Sequence, residues 1–276
     1  MPYYRLTNRR DRKNVLVFTG GHPFDGPDFF SLLDQIIYDG LGMTYTHVEQ
    51  PAALAFIENP ELTKPYEMIL FYDVPGQDYQ FPGRPIPFQP SEAYKAGFER
   101  LLEEGKPMLF LHHAIVGWSE WLRYSEVVGG CLMTAPGKVR GKDVADSGAR
   151  YDITHKVYPV AKHPVTEGLE DGFTVTDQLY MLEVFDDLIT PLMRSDYPFT
   201  SKSFYSVAAA LQGKANWNEG WDRPDGDNAM VWFRREKKSP IIYTMCGDGR
   251  SAYEAPGFRK LLGNAIRWLS SEDAKA

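Results

Sequence analysis

The sequence predicts an α/β fold: a mostly parallel sheet flanked by helices, with extra β-strands in the second half of the chain. Short runs of continuous apolar residues indicate strands that are buried on both faces, which is typical of parallel sheets. Segments with apolar residues at helical spacing separate these runs in the first half of the chain. After Gly130 the pattern changes to strand-like runs, and we expect the extra strands there.

Strands and helices alternate through the first half of the chain. The first apolar run ends in Gly20 and Gly21, which permit a tight exit from a strand. Ser91 and Gly105 cap a helix whose apolar residues recur at core spacing. Gly76–Pro90 is rich in proline and glycine and is predicted to be a loop. The predicted strands are Asn14–Gly21, Thr44–Val48, Glu67–Tyr72 and Pro107–Leu111, and the predicted helices are Phe29–Leu41, Ala52–Glu58, the Ser91–Gly105 segment and Trp118–Val128.

The second half is predicted to end in a hairpin and a helix. Asn228–Met245 forms the hairpin with the basic cluster Arg234–Lys238 at its tip, and Gly257–Leu269 is an amphipathic helix. Gly213–Asp227 is too polar and glycine-rich to pack, which indicates a mobile loop. No repeat or linker divides the sequence, so we expect a single domain over residues 1–276. The other predicted strands are Tyr151–Thr154, Lys156–Val160 and Leu188–Met193.

The charge balance argues against two classes of partner. The formal net charge is −7, and the basic residues cluster only in Arg9–Lys13 and Arg234–Lys238. Because no basic stripe is available to neutralise phosphates, we expect neither a nucleic acid nor a membrane surface as a partner.

The cysteines and the N-terminal segment favour a cytoplasmic protein. Cys131 and Cys246 can form neither a metal cage by themselves nor a disulfide framework, which favours a reducing compartment. No apolar run has the length of a membrane span. The segment Met1–Asn14 is polar and lacks the apolar core of a signal peptide.

Three groups of polar residues are candidates for a site. Ligands of parallel α/β sheets bind beyond the carboxyl ends of the strands, where the loops gather. The first candidate is His22, which follows Gly20 and Gly21 directly after the first predicted strand. Gly21 allows a ligand to approach the backbone closely. The alternative is a plain turn with a surface histidine.

The second group is the pair His112 and His113 at the end of a predicted strand. Because side chains alternate along a strand, the two imidazoles point to opposite faces. One of them can rise above the sheet at the strand-to-helix turn, where the nucleophile of many α/β enzymes lies. Trp118 follows in the same segment and offers a ring for stacking. The alternative is that both histidines only hydrogen-bond backbone carbonyls.

The third group lies in the second half and contains His163, which precedes Pro164, and Asp177, Gln178 and Tyr180. An acceptor, an amide donor and an aromatic ring together suit a polyhydroxylated ligand. The alternative is an N-cap aspartate and a core tyrosine.

Taken in order, these fragments resemble the ThuA-like (trehalose-utilisation) family. The resemblance implies a class I glutamine amidotransferase-like, flavodoxin-like α/β fold. It also implies a role in carbohydrate metabolism, with disaccharides or their keto derivatives as substrates. The matching fragments are Thr19–His22, Leu111–Ala114, Gly129-Gly130, His163-Pro164, Asp177–Tyr180 and Ile241–Leu269.

The chain departs from the pattern of its apparent relatives in two ways. Amidotransferases of this fold carry a nucleophilic cysteine at the strand-to-helix turn, whereas this chain has His112 and His113 there, so glutaminase activity is not expected. Gln178 stands where family members commonly have glutamate, and Asp248 stands where many have histidine. Asp248 is therefore a candidate ligand or base, or a cap of the turn before the last helix.

The first hypothesis is an enzyme that acts on a disaccharide or keto-sugar by general acid–base catalysis. His112 or His113 would be the base, because an imidazole titrates near neutral pH. His22 would polarise or protonate the opposite oxygen, and Asp177 would orient one of these imidazoles or bind a sugar hydroxyl group. Contacts to the small-molecule carbohydrate are assigned to Gly21, Trp118, His163, Gln178, Tyr180 and Asp248.

Two other hypotheses stay open. One is a metal-dependent hydrolase or isomerase, and the other is a non-catalytic sugar-binding or regulatory protein. The Gly213–Asp227 loop, with Trp217 and Trp221, would be either a lid or an oligomer contact, and we expect a homo-oligomer. The candidate ligands for one zinc or manganese ion are His22, His112, His113, His163, Asp177 and Asp248.

Overall fold

The computed structural model describes residues 12–78 and 85–275. Most of the predicted basic cluster at Arg9–Lys13, and positions 79–84 of the predicted proline-rich loop, lie outside these residues. A ten-stranded sheet forms the centre of the molecule. Its strands, numbered in chain order, are β1 (Asn14–Gly20), β2 (Thr44–Glu49), β3 (Met68–Asp73), β4 (Met108–Leu111), β5 (Gly148–Pro159), β6 (Phe173–Met181), β7 (Thr190–Ser195), β8 (Tyr205–Ser206), β9 (Ala229–Glu236) and β10 (Ser239–Thr244).

One half of the sheet is parallel and comes mainly from the first half of the chain. Its strand order is β2-β1-β3-β4-β10, and each neighbouring pair is parallel. Every residue of β3, β4 and β10 is buried, which explains why these strands are continuous apolar runs in the sequence. The predicted α/β class is confirmed.

The other half of the sheet is antiparallel and holds the extra strands expected after Gly130. From β10 it continues through β9, β7 and β5 to β6, and β8 pairs with β5. The hairpin of β9 and β10 turns at Lys237-Lys238, as predicted. The predicted strands Tyr151–Thr154 and Lys156–Val160 are parts of the single strand β5. No strand was predicted at β6, where the burial pattern of its last five residues is continuous rather than alternating.

Eight α-helices accompany the sheet within the described ranges. Asp25 accepts a hydrogen bond from the backbone of Asp28 and starts α1, which passes into a π-helical turn at Asp34–Gly40. The helix predicted at Trp118–Val128 begins only at Leu122, because the chain passes through a 3₁₀ turn and a loop first. The helices are α1 (Gly26–Leu33), α2 (Leu54–Glu58), α3 (Glu92–Glu104), α4 (Leu122–Val128), α5 (Val207–Leu211), α6 (Arg250–Glu254), α7 (Pro256–Leu269) and α8 (Glu272–Lys275).

The glycine-rich segment Gly213–Asp227 is irregular, as predicted, but it is not free of the body of the protein. Arg223 is only 5% exposed, and its guanidinium donates hydrogen bonds to the carbonyls of Ala145, Asp146 and Leu182. The indole N–H of Trp221 donates to Asp146. The prediction that this segment is too polar to pack is therefore wrong for its second part, where an arginine is paired with backbone acceptors.

No helix among the described residues is both long enough and apolar enough to cross a membrane.

Candidate functional site

The carboxyl ends of three parallel strands bring polar side chains to one place. His22 follows β1, His112 and His113 follow β4, and Asp248 follows β10. Because β1, β3, β4 and β10 are neighbours in the parallel half, their ends lie at the same edge of the sheet. The end of β6 adds further side chains, and this convergence defines the candidate site.

His112 forms a strained corner directly after β4. Its φ angle is +45°, in the left-handed region that residues other than glycine rarely adopt. Such a conformation costs on the order of 1–3 kcal/mol and persists only where the surroundings enforce it. The enforcing contacts are visible: the fully buried ring donates from Nδ1 to the carbonyl of Met245, and its Nε2 lies 3.2 Å from Oε1 of Gln178.

Asp248 faces both histidines of the pair. Its Oδ1 lies 3.5 Å from Nε2 of His112 and 3.6 Å from Nε2 of His113. Burial alone lowers the pKa of His112, but the contact with Asp248 outweighs it and the net pKa rises to about 9. Burial likewise opposes ionisation of Asp248, yet the charge of His112 lowers its pKa. At neutral pH the two form an imidazolium–carboxylate pair.

His113 is the imidazole at the surface of the site. Its side chain is 20% exposed, and burial together with the positive charge of His112 lowers its pKa well below the usual value. The ring is therefore neutral at neutral pH. Its Nδ1 is buried without a hydrogen-bond partner among the described residues. This leaves Nε2, beside Asp248, as the nitrogen that can meet a ligand.

The ring of His22 packs against the ring of His113. The two rings stack, with centroids 4.4 Å apart and planes within 6° of parallel. Both nitrogens of His22 lie 3.0 Å from carbonyl oxygens, those of Pro23 and Tyr72, although a neutral ring can donate to only one of them. Because burial lowers the pKa of His22, we assign the single N–H to the more enclosed carbonyl of Tyr72. The stacking contact fixes the plane of the His113 ring.

Asp177 fixes the turn that carries Asp248. Its Oδ2 accepts a hydrogen bond from the amide of Gly247 at 2.7 Å, and its Oδ1 accepts one from the amide of Asp248 at 3.1 Å. The carboxyl group is buried, which raises its pKa to about 6 against the opposing charge of His112. Since all its partners are backbone donors, Asp177 is a positioning residue in this arrangement and not an N-cap of a helix.

A cavity of about 350 Å³ opens in front of His113 and Asp248. Tyr180 lines it and donates from its hydroxyl to Oε1 of Gln178 at 2.9 Å. That contact leaves the NH₂ group of Gln178 for other acceptors, one of which is the hydroxyl group of Tyr151. The other residues that line the cavity are Pro85, Val116, Leu132, Thr134, Ala149, Tyr151, Val207, Ala210 and Leu211.

Gly21 lies beside the site, and a steric constraint requires glycine at this position. Its φ is +80°, and a Cβ atom at this position would lie only 2.2 Å from the carbonyl oxygen of Val74. Glycine is therefore required for β1 and β3 to end close together. The residue lies near His22 but does not line the cavity.

Trp118 and His163 are not brought to the cavity. Trp118 is 1% exposed and packs against Tyr94 and Phe88, so no face of its ring is left for a ligand. Its φ of +47° turns the chain at this point. His163 stacks on Phe233 and accepts from the amide of Val165 at the start of a 3₁₀ turn. Trp118 is a core residue, and the proline motif of His163 is a local cap.

Sequence reasoning missed several residues that line the cavity, of which Tyr151 is the most exposed. Tyr151 lies where the pairing of β5 and β6 is shifted between Arg150 and Ile153, and its side chain is 53% exposed. The next residue, Asp152, has a φ of +51°. No local signal in the sequence marks this bulge, so the position of Tyr151 could not be found from the residues alone.

Neither cysteine is available as a nucleophile. Cys246 is fully buried, and burial raises the pKa of its thiol well above the usual value. Burial also raises the pKa of Cys131 to about 12. Both thiols are protonated and uncoupled from any disulfide, and the strand-to-helix corner holds histidine instead.

Three of the predicted metal ligands converge within the described part of the chain. Nε2 of His112, Nε2 of His113 and a carboxylate oxygen of Asp248 all lie within 4.8 Å of one another. A tetrahedral zinc ion with bonds of about 2.1 Å would hold its ligand atoms about 3.4 Å apart, close to the two histidine–aspartate distances. The contact of His112 Nδ1 with a backbone carbonyl is also what orients a metal-binding imidazole. His22, His163 and Asp177 are not in this group.

Comparison with known proteins places these observations in a family. Residues 15–269 match the ThuA family model, described as trehalose utilisation. No curated protein matches the chain. A protein from Parabacteroides merdae described as ThuA-like aligns with a TM-score of 0.66 at 16% identity, covering 96% of this chain and 92% of that one.

Two further solved structures are similar. One, from Bacteroides uniformis and also described as ThuA-like, has a TM-score of 0.63 and 17% identity over 98% of this chain and 95% of that one. The other, a cytoplasmic protein from Salmonella typhimurium, has a TM-score of 0.53 and 12% identity over 95% of this chain and 100% of that one. At these identities the structures show a shared fold.

Proposed function

Because the chain belongs to the ThuA (trehalose-utilisation) family and so has a role in carbohydrate metabolism, we propose that it is an enzyme acting on a disaccharide or its keto derivative. The observation that carries this proposal is the pair of groups at the polar end of the cavity. Nε2 of His113 and Oδ1 of Asp248 lie 3.6 Å apart, at a depression large enough for a small molecule.

His113 acts as the general base. A neutral imidazole accepts a proton, and the burial that keeps His113 neutral also keeps it ready for this role at neutral pH. In a keto-sugar the proton comes from the carbon next to the carbonyl group. We assign to the NH₂ group of Gln178 the donation of a hydrogen bond to the oxygen that gains charge. Asp248 stabilises the imidazolium that forms on His113.

His112, His22 and Asp177 act through His113 and Asp248. His112 keeps Asp248 ionised from a position that is fully buried and does not line the cavity. His22 holds the ring plane of His113, and Asp177 holds the backbone of Asp248. His112, His22 and Asp177 are therefore proposed as positioning residues, whereas His113 and Asp248 face the substrate.

Proton abstraction can be tested without knowing the product. The protein is incubated in D₂O with the 3-keto derivative of trehalose, and NMR follows deuterium entering at carbons next to the carbonyl group. We expect His113→Ala to slow this exchange by about 10²–10⁴-fold, the usual contribution of a general base. The matched control is His163→Ala, which lies outside the cavity and should exchange like the wild type. Equal exchange by His113→Ala and the wild type would overturn the assignment.

A second candidate function, a metal-dependent hydrolase or isomerase, is favoured by the convergence of His112, His113 and Asp248. A cation held there would polarise a sugar carbonyl or activate a water molecule. Metal analysis of protein purified without added ions distinguishes the two candidates. One equivalent of zinc or manganese that His112→Ala no longer binds would support the metal centre, and full activity of metal-free protein would end it.

A further inference from the structure

The cavity in front of His113 continues into a second depression of about 530 Å³, which we call the distal chamber. Pro85, Val116, Leu132 and Thr134 line both spaces, so the two form one cleft with a shared boundary. The distal chamber lies beyond this boundary, and His113 and Asp248 line only the first cavity.

We infer that the distal chamber is a binding subsite for the second sugar ring of a disaccharide whose first ring occupies the cavity at His113. The inference rests on the proposed function, because it takes the cavity at His113 as the place where a sugar reacts. It adds the place where the second ring of that disaccharide binds, which the reactive groups alone do not determine.

The sizes of the two spaces support two rings. Small-molecule sites have volumes of about 300–1,000 Å³. The cavity at His113, about 350 Å³, is at the lower end of that range, and the distal chamber adds about 530 Å³. A substrate that extends past Val116 and Leu132 uses the full cleft, whereas a single ring at His113 leaves the larger part empty.

The lining of the distal chamber has the chemistry of a sugar site. Glu120 offers an acceptor, Lys138 offers a donor, and Ser119 offers a hydroxyl group, and all three side chains are exposed. Leu122, which is 42% exposed, and Met133 provide apolar surface. Sugars present hydroxyl groups around the ring edge and C–H groups on the ring face, so a wall that combines both kinds of surface matches them. A uniformly apolar groove would indicate a different ligand.

Lys138 is free to take part because its existing ion pair is weak. Its Nζ lies 3.9 Å from Asp143, and the two side chains are 70% and 86% exposed. Such an exposed pair contributes little and is readily given up for a ligand. Lys142 lies in the same hairpin and does not line the chamber, which makes it a matched control.

Titration calorimetry with trehalose and glucose as probes tests the subsite. We expect the wild type to bind trehalose at least tenfold more tightly than glucose. The double variant Glu120→Ala/Lys138→Ala should lose at least tenfold in trehalose affinity and keep its glucose affinity within twofold, because glucose occupies only the cavity at His113. The control Glu92→Ala/Lys142→Ala removes the same charges elsewhere and should bind both sugars like the wild type.

The possible outcomes distinguish failure of this inference from failure of the proposed function. Equal affinity of the wild type for trehalose and glucose would leave the proposed function standing and overturn the subsite. A double variant that keeps the trehalose affinity of the wild type would overturn the subsite in the same way. A wild type that binds neither sugar, nor the keto derivative, would overturn both proposals.

Discussion

Replacing Asp177 should destabilise the protein through the turn that carries Asp248. In the folded chain the carboxylate accepts hydrogen bonds from the amides of Gly247 at 2.7 Å and of Asp248 at 3.1 Å. These contacts join the middle of β6 to the loop after β10, and Asp177 and Gly247 are 70 residues apart in the sequence. Alanine at position 177 would leave both amides without their acceptor.

The expected loss follows from the two bonds to Gly247 and Asp248, because the third bond, from the amide of Gln178 to Oδ1 at 2.9 Å, is local to the strand. A hydrogen bond to a charged group contributes about 1.5–3 kcal/mol, so Asp177→Ala should lower the free energy of unfolding by about 3–6 kcal/mol. Asp177→Asn keeps one acceptor oxygen and should lose about half as much. Urea unfolding followed by circular dichroism measures both values.

The control is an aspartate without buried partners. Asp143 is exposed in a hairpin, and Asp143→Ala should change the free energy of unfolding by less than about 0.5 kcal/mol. If Asp177→Ala also lay within about 1 kcal/mol of the wild type, Asp177 would not be the support of the turn, and the account of how Asp248 is positioned would be wrong.

Three further predictions concern stability and local order. Burial raises the pKa of Asp73 to about 7, so the folded state holds its proton more tightly than the unfolded state, and stability present at low pH is lost as the pH rises through 7. With about 1.36 kcal/mol per pKa unit, Asp73→Asn should raise the free energy of unfolding at pH 8 by up to about 4 kcal/mol. It should also flatten the dependence of this free energy on pH, measured by urea unfolding from pH 4 to pH 8. An unchanged slope would contradict this prediction. Trp118→Ala should cost about 3–5 kcal/mol in the same assay, because the ring is a fully buried core side chain, and a loss below about 1 kcal/mol would show that it is not. Arg223→Ala should speed proteolytic cleavage between residues 213 and 227, because it removes the bonds to Ala145, Asp146 and Leu182; an unchanged cleavage rate would mean that the arginine does not hold the segment.

The parts of the site that follow single strands could be predicted from the sequence. His22 comes after a glycine pair, and His112 and His113 come after a continuous apolar run, so each could be placed at a strand end. Because parallel strands end at one edge of the sheet, their convergence followed from the fold class. In the structure the rings of His22 and His113 stack on each other, as this convergence requires.

The division of roles among these residues depends on contacts that the sequence does not contain. The φ of +45° at His112 turns its ring inward and leaves only His113 at the cavity. Asp177 meets the loop that carries Asp248 through a long-range contact of its carboxylate, although β6 and β10 are not neighbours in the sheet. This contact makes it a support of the loop, a role that the sequence does not reveal. His163 carries a recognisable motif, yet its place beside Phe233 follows from tertiary packing.

The central claim is that a sugar binds where His113 and Asp248 meet at the cavity. The most direct test is an NMR titration of the histidine side chains, labelled with ¹⁵N, with trehalose and its 3-keto derivative. We expect the ring signals of His113 to shift on addition of sugar while those of His155 and His163 stay in place. Sugar binding that shifts His163 and leaves His113 unchanged would contradict it.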